Sequence, residues 1–308
     1  MSLPPFLQPS ERWTSGRTGD TAFYDALFTH KNNPLAAHVL WWPPTTHSSS
    51  ILVFIPGNPG LVDFYTPFLT AVYDKSHHSL PILARAHLGH TPHLDGHRPY
   101  SASAHTRLEA QLNSIVELID TLQSCYKNII LVGHSVGSWL VLQALRFRPQ
   151  VVSSVFLLFP TIAYIGSTPN GRKLSWLFRP PLPRIVSHTS VLTRLLPLRL
   201  ISYLFAEWPL AQVLVLRDLL HSPFSIYASL TMADDEMKTI REPDEDLLKH
   251  YSDRIHLYFA QKDDWVGDNE GELLRALEQH WENVKIIHGQ ADIPHAFCIS
   301  KFSSLRCS

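Results

Sequence analysis

A chain of 308 residues, 45% of them hydrophobic, is long enough to bury one large α/β core and still spare residues for an insertion. Its 26 Lys+Arg and 27 Asp+Glu leave a formal net charge of −1, and the two signs are interspersed. That balance argues against nucleic acid as a partner and against strong attraction to anionic membranes; the expected partner is apolar or small. Three cysteines, Cys125, Cys298 and Cys307, make no disulfide or metal-ligand pattern, and Met1-Ser2-Leu3-Pro4-Pro5 starts no secretory signal. No stretch reaches the ~18 uncharged apolar residues that span a bilayer. The expectation is a reducing cytosolic compartment and a soluble or peripheral chain.

Residues 1–50 alternate short apolar pieces, such as His38-Val39-Leu40-Trp41-Trp42, with Pro43-Pro44 and the polar run Thr45 to Ser50, which predicts leading strands joined by a turn. Continuous apolar runs at Ile51–Ile55, Ile129–Val132 and Val155–Phe159 predict parallel strands buried on both faces. Ile82-Leu83-Ala84 reads as a further strand, and Ile255–Ala260 as one that alternates less cleanly; Asn283 to Ile287 is the candidate last strand. Helical spacing follows at about 64–74, 106–124, 136–147 and 270–281. Strands alternating with helices predict an α/β fold: a doubly wound, mostly parallel sheet in a single domain over 1–308.

Residues 161–250 break the alternation. Pro180-Pro181-Leu182-Pro183 leads into apolar segments interrupted by single arginines, from Ile185 to Phe205 and again from Val213 to Leu220. The pattern predicts an inserted helical cap. Its apolar faces can close over the core, as amphipathic helices usually do. They can also meet a lipid interface, with Trp176, Tyr203 and Trp208 as boundary anchors. The two roles are compatible.

Between the strand ending at Val132 and the helix starting at Val136 lies Gly133-His134-Ser135-Val136-Gly137. A G-x-S-x-G between strand and helix is a nucleophile elbow: small glycines permit a sharp turn that lifts the serine hydroxyl above the sheet edge. The following helix aims free N–H groups and its positive dipole end at the reacting oxygen. Ser135 is therefore the candidate nucleophile, and serine needs a histidine base oriented by a carboxylate. With the order Ser, acid, His, the loop Gln261-Lys262-Asp263-Asp264-Trp265-Val266 supplies the acid; its spacing favours Asp263 over the adjacent Asp264. Pro294-His295-Ala296-Phe297 supplies the base, His295, and His134 is expected to pack under the elbow. The oxyanion donors expected are the N–H of Val136 and one from Ile55-Pro56-Gly57-Asn58-Pro59-Gly60. Pro59 has no N–H, which leaves Asn58.

His87, His90, His93 and His97 invite a metal reading, but no helix or hairpin sets their spacing. They are expected in a loop rimming the site. No G-x-G-x-x-G is present, so neither metal nor cofactor is expected.

Taken together, Gly57-Asn58-Pro59-Gly60, the elbow, Asp263-Asp264-Trp265-Val266 and Ile293-Pro294-His295-Ala296-Phe297 resemble the lipid droplet-associated hydrolase family of the α/β-hydrolase fold, from about residue 35 to 299. The resemblance implies a serine hydrolase on lipid droplets and the endoplasmic reticulum, at the cytosolic face, with Ser135, Asp263 and His295 in the triad positions. It implies a neutral lipid ester substrate, such as sterol esters or acylglycerols, and a 161–220 region that contacts the droplet monolayer. Acyl transfer to an alcohol would use the same residues, and a droplet-coating protein with incidental chemistry is the rival from another class. Such hydrolases normally continue past the histidine into a helix packed on the sheet. This chain has only the Ser-rich Ser300 to Ser308 there, which predicts uncovered apolar sheet surface and marginal stability.

Overall fold

Apolar runs that cannot tolerate water on either side fold into the centre of a sheet that counts nine strands among the described residues. The computed structural model describes residues 3–10, 22–95, 98–267, 269–277, 284–289 and 293–299. The strands are β1 (Gln8–Pro9), β2 (Tyr24–Phe28), β3 (Ala37–Trp42), β4 (Ser50–Ile55), β5 (Ile82–Arg85), β6 (Asn128–His134), β7 (Val152–Leu158), β8 (Ile255–Phe259) and β9 (Lys285–His288). Their order across the sheet is β1-β2-β3-β5-β4-β6-β7-β8-β9. From β5 to β9 every pairing is parallel, while β1, β2 and β3 join antiparallel at the leading edge.

Helices cover both faces, as a sheet apolar on both sides requires. On one face lie α2 (Leu108–Leu122) and α3 (Val136–Phe147). The side chains of Leu108, Leu112, Ile115, Ile119 and Leu122, at helical spacing, pack with Leu140, Val141 and Leu145 onto Ile129, Leu131 and Val155. On the other face α1 (Thr66–Lys75) places Leu69 and Tyr73 over Phe54 and Ile82. The elements match the sequence reading in kind, and the shifts are at their ends: α2 is shorter than 106–124, and β6 runs on through His134. Residues 278–281 of the expected last helix, Asn283, His97, Cys307 and the 300–308 tail lie outside the described residues.

The order β5-β4-β6 means that the chain leaves β4 in one direction and returns across it to form β6. The loops after these two neighbouring strands diverge, and a crevice opens at their carboxyl ends, where ligands bind in doubly wound sheets. The elbow follows β6 and the Asn58 loop follows β4.

Between the end of β7 and the start of β8 the chain builds α4 (Pro169–Phe178), α5 (Leu182–Thr189), α6 (Leu198–Leu204), α7 (Leu210–Leu220), α8 (Pro223–Thr239) and α9 (Glu245–His250). The long α8 starts where the Ser222 side chain accepts the Ser225 N–H and Pro223 occupies the first turn, both suited to a helix start. It packs against α4, α5 and α7; β8 then returns the chain to the sheet, and α10 (Asn269–Leu277) follows it.

Candidate active site

Ser135 stands between β6 and α3 at φ 54° and ψ −123°, a backbone state that side-chain-bearing residues rarely adopt. The turn closes because its flanks are bare. A Cβ on Gly137 would lie 2.3 Å from the Ile55 carbonyl oxygen, and one on Gly133 2.4 Å from the Gly137 carbonyl oxygen. Inside the turn the Ser138 hydroxyl donates to the Gly133 carbonyl at 2.9 Å. Val136, the first residue of α3, has an N–H with no partner available within its helix.

Three sequence candidates meet at Ser135. The Ser135 Oγ is 2.9 Å from His295 Nε2, and His295 Nδ1 is 2.7 Å from Asp263 Oδ2. Because a carboxylate only accepts, Nδ1 carries the ring hydrogen and Nε2 faces the serine as acceptor. The other Asp263 oxygen accepts the N–H groups of Trp265 at 2.8 Å and Val266 at 3.1 Å, so the loop fixes the carboxylate from both sides. The adjacent Asp264 is exposed, and its carbonyl takes the Asn170 N–H. Asp263 is therefore the carboxylate that faces His295.

The loop after β4 carries Asn58 to the same cavity, which has a volume of about 390 Å³ and is lined largely by apolar side chains including Phe64, Phe178, Leu219 and Trp265. Both hydrogens of the Asn58 amide are used by α8: Nδ2 donates to the Ser229 carbonyl at 2.9 Å and to Glu236 Oε1 at 2.8 Å. Histidines brace this loop from below. His90 Nδ1 donates to the Pro59 carbonyl at 2.9 Å, and His87 packs so tightly that a Cβ on Gly60 would lie 2.4 Å from its ring. Burial pushes His90 down to about 4 and His87 well below the usual histidine value, so both stand neutral.

The sequence reading missed Tyr65. Its hydroxyl accepts the Gly57 N–H at 3.1 Å and lies 2.8 Å from His134 Nδ1, while His134 Nε2 is 2.9 Å from the His295 carbonyl. A carbonyl only accepts, so Nε2 holds the hydrogen and Nδ1 receives the Tyr65 O–H. Burial, reinforced by the neighbouring His295, lowers His134 to about 3 and keeps it neutral. His134 packs under the elbow and thereby ties the loop after β4 to the His295 segment. Nothing in the spacing of Tyr65 signals this, because the contact spans 69 residues. Gln212 of α7 adds a second tie that the sequence reading lacked, donating to the carbonyls of Phe64 and Cys298. Burial pushes the Cys298 thiol up to about 12, which keeps it in the thiol form.

The four-histidine cluster of the sequence divides: His87 and His90 serve the Asn58 loop, and His93 sits against His38 with ring centroids 4.9 Å apart. Among the described residues Asp25, His38 and His93 bring potential ligand atoms within 4.8 Å of one another. Asp25 is engaged in hydrogen bonding there, accepting from the Ser10 hydroxyl and from His38 Nε2.

Of the thirteen large apolar side chains that stand exposed among the described residues, ten lie between Trp176 and Leu210, with Leu195 at 80% and Tyr203 at 76%. No described helix is long and apolar enough to cross a membrane.

Comparison with solved structures shows the α/β-hydrolase fold. A 2-hydroxy-6-oxo-6-phenylhexa-2,4-dienoate hydrolase from a Rhodococcus species aligns with a TM-score of 0.62 at 15% identity, over 92% of this chain and 95% of that one. A bacterial membrane phospholipase A gives 0.63 at 13% identity, over 91% and 82%. In sequence, the human lipid droplet-associated hydrolase is 26% identical over 286 residues, 83% of this chain and 84% of its own length. The Drosophila melanogaster lipid droplet-associated hydrolase is 27% identical over 260 residues, 76% and 81%. The pattern that defines the lipid-droplet associated hydrolases matches residues 48–298, from the start of β4 to beyond His295, and this chain belongs to that family of hydrolases.

Proposed function

We propose that the chain is a serine hydrolase of carboxylic esters that acts on neutral lipid esters, sterol esters or acylglycerols, at the lipid droplet surface. The observation that carries the reading is the hydrogen-bonded line Ser135–His295–Asp263 opening into an apolar cavity. His295 Nε2 takes the Ser135 proton as Oγ attacks the ester carbonyl, and Asp263 stabilises the imidazolium that forms. The N–H groups of Val136 and Asn58 receive the oxyanion. Collapse of the tetrahedral intermediate expels the alcohol, which takes the proton back from His295; water, activated by the same Nε2, then releases the acid and restores Ser135.

The exposed apolar band on α4, α5, the tight helical turn Ser190–Leu195, α6 and the start of α7 suits the droplet monolayer, where Trp and Tyr sit at the boundary. Arg179, Arg184, Arg194 and Arg199 are interspersed with it in sequence. Such a band suits the cytosolic face of droplets, and the family resemblance extends that placement to the endoplasmic reticulum. The same band is the observation that favours the rival, a droplet-coating protein whose chemistry is incidental.

Fluorophosphonate labelling of the purified chain tests the reading. Labelling is expected in the wild type and lost in Ser135→Ala and His295→Ala, with hydrolysis of emulsified cholesteryl or glyceryl esters lost in parallel. A folded wild type that does not label overturns the enzyme reading and leaves the coat role.

A further inference from the structure

Glu236 has no part in the chemistry just described, yet it is 4% exposed and its carboxyl lines the cavity beside Asn58. Among the described residues lining that cavity it is the one carboxylic side chain. An ionised carboxylate buried in an apolar wall normally finds a cation, and no ion pair to Glu236 exists among the described residues. Its recorded side-chain partner is the amide of Asn58, at 2.8 Å. Burial pushes Glu236 up to about 8, with repulsion from Asp235 in the same sense and the Asn58 hydrogen bond opposing. The group is thus mainly a neutral acid at pH 7, able to accept from Asn58 through Oε1.

The geometry around Asn58 is a clamp. Ser229 and Glu236 are seven residues apart on α8, close to two helical turns, so their carbonyl and carboxyl present to one side. The Asn58 amide inserts between them with both hydrogens used. A short amide side chain held at both hydrogens leaves its own backbone little freedom, and a donor displaced by an ångström loses most of its worth to a transition state.

We propose that Glu236 is a positioning residue: through the Asn58 side chain, this cap residue fixes the backbone of the loop after β4 and so sets the oxyanion site from the cap. The proposal rests on the serine-hydrolase reading of Ser135. It assigns α8 a role beyond roofing the cavity, since movement of this helix would release the clamp and disable the donor while leaving Ser135, His295 and Asp263 in place.

The test uses the full chain with a fluorophosphonate and a short soluble ester, p-nitrophenyl butyrate, comparing Glu236→Ala, Glu236→Gln, Asn58→Ala and the double Glu236→Ala/Asn58→Ala. Asn58→Ala keeps the backbone N–H and removes only the clamp. The expected result is a fall in kcat of about 10- to 100-fold in Glu236→Ala and in Asn58→Ala, with KM little changed. Glu236→Gln, a neutral group that still accepts, restores most of the loss. The double variant is no slower than Asn58→Ala alone, because both substitutions break one linkage. Wild-type kcat in both single variants, losses that multiply in the double, or a Gln variant as slow as Ala would each overturn the proposal. Should Glu236→Ala fail to fold, Asn58→Ala and Glu236→Gln decide it. Labelling that persists in Ser135→Ala marks failure of the serine reading itself; labelling that needs Ser135 but ignores Glu236 and Asn58 marks failure of the clamp alone.

Discussion

Replacing Tyr65 with phenylalanine removes one oxygen and orphans two buried groups. The ring is 4% exposed and packs against Phe54, His134 and Phe297, so its apolar contacts survive the change. The Gly57 N–H at 3.1 Å and His134 Nδ1 at 2.8 Å lose their partner. Leaving a buried donor or acceptor unpaired costs about 1–3 kcal/mol each, which puts the variant about 2–6 kcal/mol below the wild type. In a domain of this size that lowers the melting temperature by roughly 5–15 °C. Chemistry suffers too, because the Tyr65 O–H keeps the hydrogen of His134 on Nε2, facing the His295 carbonyl at 2.9 Å. Without it the tautomer with the hydrogen on Nδ1 sets two lone pairs against each other, and the segment bearing His295 shifts. Thermal melting and the fluorophosphonate rate constant are the paired assays, with the rate expected to fall about 10-fold. A Tyr65→Phe chain that melts with the wild type and labels at its rate would refute the linkage.

Gly137→Ala is expected to reduce labelling by about 100-fold and to cost about 1–3 kcal/mol, because its Cβ would sit 2.3 Å from the Ile55 carbonyl oxygen and neither backbone can yield without separating β4 from the elbow; a soluble-ester assay at wild-type rate would contradict this. The double substitution Leu195→Asp/Leu204→Asp, at positions 80% and 64% exposed, should leave the melt unchanged. It should weaken flotation with artificial droplets by about 100-fold or more, from two apolar insertions at ~1.5–3 kcal/mol each; unchanged flotation would remove the cap from the interface. Glu236, held at about 8 in the folded chain against an ordinary 4.5, adds stability below pH 4.5 that is lost as pH rises through 8. Melting profiles of wild type and Glu236→Gln should therefore diverge between pH 5 and 8, the wild type losing ground with rising pH at up to about 1.4 kcal/mol per unit; parallel profiles would mean that Glu236 is ionised in the fold.

The elbow, the parallel strands and their helices were legible in the chain because each depends on neighbours in sequence. A strand buried on both faces must be apolar at every position, as Ile51 to Ile55 is, and a sharp turn after such a strand must be flanked by residues as small as Gly133 and Gly137. The helices between β7 and β8 were legible as an interruption of that alternation. Their two kinds of apolar residue were not separable by pattern. Ile201, Val213 and Leu219 face inward while Leu192, Leu195 and Leu204 face out, a division that depends on which helices pack beside them.

What the sequence alone determined is local: the fold class, the serine at the turn and the short aspartate and histidine loops that follow late strands. Tertiary structure alone brings the Asp263 that the loop spacing favoured to His295, Tyr65 to His134 and a buried glutamic acid to Asn58. Those contacts bridge 32, 69 and 178 residues. No spacing rule reaches across such separations, because they are set by strand order, by the angle at which helices cross the sheet and by where a buried polar group can find a partner.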